Sequence, residues 1–201
     1  MLDEGYIKFD ADWEKAPPFP REAIAPLNAC RQRLYELGLI GAYDNGVGYG
    51  NISCRRGQGS QFFISGSKTG NFQQLGARHY ALVTDVQPAE NRLHCRGPII
   101  ASSESMSHAI IYEECPWAKA VIHVHHLGMW QRLLHQVPTT DAAAPYGSPA
   151  MVESIRQLMR ETNLPQLQIF VMEGHKEGIF TFGKTLESAM QILLHYFEEE
   201  D

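Results

Sequence analysis

No run in the 201 residues approaches 18 consecutive apolar side chains, and the acidic, polar N-terminus lacks a basic region followed by an apolar core. Neither a membrane span nor a signal peptide is therefore expected. Internal repeats, low-complexity tracts and long Gly/Ser/Pro linkers are also missing, which favours a single domain, and the length suffices to bury a sizeable core. Positive charge is sparse and scattered: 17 Lys and Arg stand against 23 Asp and Glu, a formal charge of −6, with no basic stripe. That balance speaks against nucleic acid or an anionic membrane as the main partner. The four cysteines, Cys30, Cys54, Cys95 and Cys115, form no C-x-x-C pair, so a zinc ribbon or redox motif is not indicated and reduced thiols in a cytoplasmic protein are expected.

What is present reads as alternating helices and short strands. Residues 1–20, with "EKAPPFP" at 14–20, read as an irregular arm ahead of one domain at 21–201. Ile24, Leu27, Cys30, Leu34 and Leu37 recur at helical spacing from Arg21 to Gly38. "QFFIS" (61–65), "YALVT" (80–84), "KAVIHVH" (119–125), "LQIFVM" (167–172) and "GIFTF" (178–182) are short, β-branched or aromatic, and bounded by turn residues, which predicts strands. Three more helices are expected: one capped by Ser102 or Ser103 and ended by Pro116, one opened by Ser148-Pro149, and one opened by Thr185. The elements interleave without a regular βαβ rhythm, which fits a central mixed sheet with helices on both faces.

The stretch "AVIHVHHLGMW" (120–130) sets three histidines in an apolar run. On a strand, Val121, His123 and His125 share one face and Ala120, Ile122 and Val124 the other. Same-face neighbours lie roughly 6.5–7 Å apart, close enough for two imidazoles to reach one ion through Zn–N bonds of about 2.0–2.1 Å. Two polar core residues satisfied by carbonyls or water would give the same pattern. His126 faces away from the pair, and His79 and His94 are read as structural.

Other segments carry chemistry only in combination. "GYGNISCRR" (48–56) offers backbone approach at Gly48 and Gly50, hydrogen-bonding side chains at Asn51 and Ser53, and a cation at Arg55. "ISGSKTGNF" (64–72) has the small and hydroxyl residues of an anion-binding nest but not the order of a nucleotide P-loop. "ASSESMSHAIIY" (101–112) presents two serines at a helix start, with Glu104 and His108 at i and i+4. "VMEGHKEGIF" places His175 in a turn between two strands, framed by Gly174 and Gly178.

In that order, "YGNISCR", "FISGSKTG", "SSESMSHAIIY", "AVIHVHH", "PYGSP", "EGH" and "FGKTLESAM" resemble the class II aldolase/adducin family over roughly residues 21–197. The resemblance implies a three-layer α/β/α fold with a central mixed, largely antiparallel sheet. It implies His123, His125 and His175 as ligands of Zn²⁺ or another divalent metal, and Glu104 as acid/base. Gly50, Asn51, Ser65, Gly66, Ser102 and Ser103 would line an anion pocket. It further implies a homotetramer and a small hydroxy-carbonyl or sugar-phosphate substrate, cleaved through an enediolate. Three neutral imidazoles leave a cation its full charge and an open position, which suits that chemistry, and a carboxylate beside it can carry the proton.

Three departures bear on the reaction. The segment between H-x-H and the P-Y element is short, and it holds no counterpart of the tyrosine that donates a proton in family aldolases; Tyr146 belongs to the P-Y element. "HKEG" replaces the family's H-G, and the 65–70 loop carries an apparent insertion. An epimerase or dehydratase would share the metal and glutamate, and a non-catalytic adducin-like module would be expected to have lost its ligands. A cupin oxygenase also uses H-x-H, but wants its glutamate just after the pair and an all-β barrel.

Overall fold

The computed structural model describes residues 7–198. In chain order the elements are β1 (Asp10–Lys15), α1 (Arg21–Glu36), β2 (Gly41–Ala42), β3 (Gly48–Tyr49), β4 (Asn51–Arg55), β5 (Phe62–Ser65), β6 (Tyr80–Gln87), β7 (Arg92–Gly97), α2 (Ser105–Glu114), β8 (Ala120–His125), α3 (Leu127–Leu133), α4 (Pro149–Glu161), α5 (Leu164–Leu167), β9 (Ile169–Val171), β10 (Gly178–Gly183) and α6 (Leu186–Glu198). One eight-stranded sheet runs β1-β7-β6-β5-β4-β8-β10-β9, and β2 and β3 form a separate hairpin. Only the β1–β7 pair is parallel; the rest of the large sheet is antiparallel.

The two-residue period of the strands sorts the core into two layers. Phe62, Ile64, Val121, Phe170, Phe180 and Phe182 face α2 and α4. Ile52, Phe63, Leu82, Ile122, Val124 and Ile179 face α1, α3 and α6. The central strands β8 and β10 are buried along their whole length, so both faces need covering, and helices on each side supply it. The result is the expected three-layer α/β/α arrangement.

Helix starts follow local chemistry. Ser148 Oγ accepts the Met151 N–H at 3.2 Å with Pro149 in the first turn, and Thr185 and Ser188 cap α6 reciprocally through N–H to hydroxyl contacts of 3.0 Å each. Helix α2 departs from expectation: it begins at Ser105, with Glu104 at the cap position. Ser102 and Ser103 are instead spent in a turn, in which the Ser102 carbonyl accepts the Ser105 N–H at 3.0 Å and its hydroxyl at 2.6 Å.

The expected arm also differs. Residues 1–6 lie outside the described residues, but Asp10–Lys15 form an edge strand on β7. Its signal was hidden because the apolar face of "DADWEK" is only Ala11 and Trp13, set among charged residues. It is held by parallel pairing with β7 and by side-chain pairs across it: Asp10 with Arg92 at 3.3 Å, Asp12 with His94 at 3.0 Å and Glu14 with Arg96 at 3.2 Å.

Candidate metal centre

Strand register assembles the site. In the antiparallel pairs flanking β8, Asn51 of β4 sits opposite His123, which in turn sits opposite Phe180 of β10, and Gly178 is opposite His125. His123 and His125 therefore leave the sheet on the α2 side, at the middle of three neighbouring strands. Phe180 stacks flat on the His123 ring, at 4.3 Å between centroids and 9° between planes, and stacks in turn on Phe170. That platform restricts ring rotation.

His175 arrives from the loop between β9 and β10, whose neck closes through Met172 N–H to Gly178 C=O at 2.9 Å and Gly178 N–H to His175 C=O at 3.0 Å. The loop packs so closely that a Cβ on Gly174 would lie 2.1 Å from the Ala144 carbonyl oxygen. Only glycine fits there. This brings the three predicted histidines together: all are buried, and one ring nitrogen of each lies within 4.8 Å of the others.

The converging atoms are identified by what the opposite nitrogens do. His125 Nδ1 meets the Tyr43 hydroxyl at 2.9 Å and His123 Nδ1 meets Asn51 at 3.2 Å, which leaves Nε2 of both facing inward. His125 Nε2 and His175 Nε2 are 3.1 Å apart, while His123 Nε2 is buried with no hydrogen-bond partner. Two bonds of 2.0–2.1 Å at a tetrahedral angle separate their nitrogens by about 3.3 Å. An orphaned buried nitrogen beside such a pair is what a coordination site would leave when protein groups alone are counted, so these residues fit a divalent metal.

Burial favours the neutral form of His123 and His125. Desolvation, with His125, His175 and His108 adding smaller like-charge effects, holds His123 well below the ordinary histidine value; desolvation and His175 do the same to His125. Neutral imidazole is the form that donates a lone pair. The Tyr43 O–H is also 2.9 Å from Glu177 Oε2, giving a carboxylate–tyrosine–histidine relay behind His125.

A cavity of about 30 Å³ adjoins His123, lined on one side by Gly50, Asn51, Ser102, Ser103 and Glu104 and on the other by residues 66–70. Gly50 is required because its φ is +74° and a Cβ would meet Ile40 Cγ1 at 2.8 Å. Glu104 is buried and its Oε2 accepts the Ser107 hydroxyl at 2.9 Å. An isolated bridge between Gly66 and Ala101 ties the two walls together.

Two expected participants are placed elsewhere. Ser65 ends β5 with its hydroxyl accepting the Ile52 N–H at 3.2 Å, and it does not line the cavity, where Ser67, Lys68 and Thr69 take its place. Arg55 gives its guanidinium to the carbonyls of Tyr112, Gly59 and Ala118 at 2.7–3.0 Å, so it staples β4 to the segments around it rather than meeting an anion. His126 turns away as expected and caps α3, its Nδ1 accepting the Met129 N–H at 3.1 Å. His79 Nδ1 likewise accepts the Gly76 N–H at 2.8 Å.

Sequence reasoning missed Tyr43, Glu177 and Arg31. Tyr43 precedes "DNG", a hairpin-turn signal, in which Asn45 Oδ1 accepts the Val47 N–H at 3.0 Å. Arg31 occupies the buried stripe of α1, and its two terminal nitrogens donate to the carbonyls of Thr69, Gly70 and Gln73 at 3.1–3.2 Å. Because the C=O and N–H of a trans peptide point oppositely, this turns the following amides away from α1.

A family model described as the Class II Aldolase and Adducin N-terminal domain matches residues 27–199. Among solved structures, an L-fuculose 1-phosphate aldolase superposes with a TM-score of 0.67 at 16% identity, over 90% of this chain and 84% of that one. YgbL from Klebsiella pneumoniae, for which aldolase, epimerase and decarboxylase are all named, gives 0.64 at 14% identity over 90% and 87%. A sugar-phosphate aldolase from Thermotoga maritima gives 0.60 at 18% identity over 90% and 97%. Among curated proteins none matches in sequence. At these identities the structural likeness establishes the fold.

Proposed function

The chain belongs to the class II aldolase and adducin N-terminal domain family, and from that premise we propose that it is a divalent-metal-dependent lyase acting through an enediolate on a small hydroxy-carbonyl or sugar-phosphate substrate. The observation that carries this reading is the buried Nε2 of His123, left without a partner beside the Nε2 atoms of His125 and His175. A decayed site would not keep three buried imidazoles aimed at one point.

On this reading His123, His125 and His175 hold a divalent cation, zinc by preference of three imidazoles. When bound, the cation supplies the positive charge that lowers the cost of negative charge developing next to a substrate carbonyl. The protein's own groups do the rest. Glu104, buried on the wall shared with His123, carries the proton to and from carbon, and the Ser107 hydroxyl fixes the orientation of its carboxylate. The hydroxyls and amides of Ser102 and Ser103, with Gly50, Asn51, Gly66 and the 67–70 loop, hold the substrate's anionic end; Lys68 adds positive charge at the rim.

Epimerisation and dehydration draw on the same proton carrier, and the product distinguishes them. The reading includes a cytoplasmic homotetramer in carbohydrate metabolism. The four cysteines are all free, as a reducing compartment requires.

The test is metal analysis of the purified protein followed by deuterium uptake from D₂O into a panel of ketoses and their phosphates, with Glu104→Gln as control. One metal per chain with Glu104-dependent exchange is the expected result. Tightly bound metal with no exchange or turnover across the panel would instead identify a non-catalytic binding module.

A further inference from the structure

Behind His123 a chain of buried side chains runs away from the cavity. His123 Nδ1 lies 3.2 Å from Asn51 Nδ2, and Asn51 Oδ1 lies 2.6 Å from His108 Nε2. His108 Nδ1 lies 2.7 Å from Ser53 Oγ, which is 2.8 Å from the Tyr112 hydroxyl. The exposures are 1% for His123, 6% for Asn51, 0% for His108 and Ser53, and 3% for Tyr112. Water has little access to repair a mismatch anywhere along it.

Such a chain has a direction. Here Asn51 Oδ1 accepts, so His108 carries its proton on Nε2 and its Nδ1 accepts from the Ser53 hydroxyl. The Asn51 amide N–H donates to His123 Nδ1, which leaves the single proton of His123 on Nε2, the nitrogen that faces His125 and His175. A protonated ring nitrogen has no lone pair to give.

We propose that Asn51 and His108 are positioning residues for His123, and that the chain reverses as a unit when His123 Nε2 coordinates a cation. The inference rests on the metal reading above. In the reversed chain the Asn51 amide has turned half a revolution. Its oxygen accepts from His123 Nδ1–H, its NH₂ donates to His108 Nε2, and His108 Nδ1–H donates to Ser53 Oγ. Each ring keeps one proton, moved from Nε2 to Nδ1, so the reversal takes up and releases none. Asn is suited to the middle of the chain because its two ends exchange donor and acceptor by rotation alone.

The experiment is ¹H–¹⁵N NMR of the full chain labelled at histidine, without and with one equivalent of Zn²⁺, together with zinc affinities for Asn51→Leu and Asn51→Asp. His108 touches no cation, so its proton is the diagnostic. It is expected on Nε2 before zinc and on Nδ1 after. Asn51→Leu is expected to weaken zinc binding by 10–100-fold, whereas Asn51→Asp, whose carboxylate accepts from both rings at once, restores affinity to within a few-fold and pins His108 in the Nε2–H form. Circular dichroism melts without zinc check that both variants fold. Zinc bound at one per chain with the His108 proton unmoved, or with wild-type affinity in Asn51→Leu, overturns the proposal alone. No zinc uptake by the unaltered chain overturns it together with the metal reading.

Discussion

The imidazole half of the cavity stands on β4, β8 and β10, while the facing half is the 66–70 loop, and the two are secured by opposite means. On the strand side, side chains do the work: register sets Asn51, His123 and Phe180 abreast, and a flat aromatic stack fixes the ring. On the loop side the backbone does it, with carbonyls gathered by one buried arginine reaching across from α1. The strand half is built from residues that belong to the motifs themselves, Asn51, His123 and Phe180, brought together by register, whereas the loop depends on Arg31, which lies in no motif. A site can thus be half encoded in its motifs and half in its surroundings.

The sharpest way to break the strand half is Phe180→Ala. It should cost about 4 kcal/mol, from the lost transfer energy plus the cavity left between His123 and Phe170. Urea unfolding reads the stability and metal content reads the loosened ring. The loop half should answer to Arg31→Leu, which strands the carbonyls of Thr69 and Gly70 in the interior and costs about 3 kcal/mol. Here the contrast is explicit: metal stoichiometry is retained, while binding of a phosphorylated ligand, followed by calorimetry, is lost.

A pH series separates the halves further, since the fully buried histidines that burial depresses, His108, His123 and His125, lie on the strand side. Burial holds His108 at about 3 against an unfolded value near 6.5. Its contribution to stability is complete above pH 6.5 and is lost as pH falls from there toward 3. Each such histidine steepens the fall by about 1.4 kcal/mol per pH unit. His108→Gln should flatten the slope of unfolding free energy between pH 6 and 5 by about that amount, and an unchanged slope would refute neutral burial. The smallest effect expected is for Tyr43→Phe, which cuts the relay from Glu177 to His125 and should weaken zinc affinity about tenfold, measured by competition with a chelator.

Much of this was legible in the sequence, for physical reasons that also mark the limit. The H-x-H pair could be read because a strand repeats every two residues, α1 because its buried positions recur at helical spacing, and α4 and α6 because Ser148-Pro149 and Thr185 mark their starts. His175 could be placed in a turn, but its approach to the other two followed only from the order of motifs. Strand β7 alternates Leu93 and Cys95 inward and was overlooked amid charge. Asn51, Ser53 and Arg55 were read as offering themselves to a ligand; all three side chains are bonded inside the protein, because β4 sends them toward α2 and its neighbourhood, although Asn51 still lines the cavity. The partners that decided this, His108 and Tyr112, are more than fifty residues away, and no local pattern announces them.

The polar side-chain rungs along β1 and β7 have a consequence for crowding. A terminal strand bordered by Asp10, Asp12 and Glu14 is a poor template for another chain to extend, since an incoming oily strand would have to strip water from carboxylates. Concentrated solutions should therefore resist fibril growth from that rim, and Asp12→Val with Glu14→Val should show the cost as thioflavin-positive aggregates.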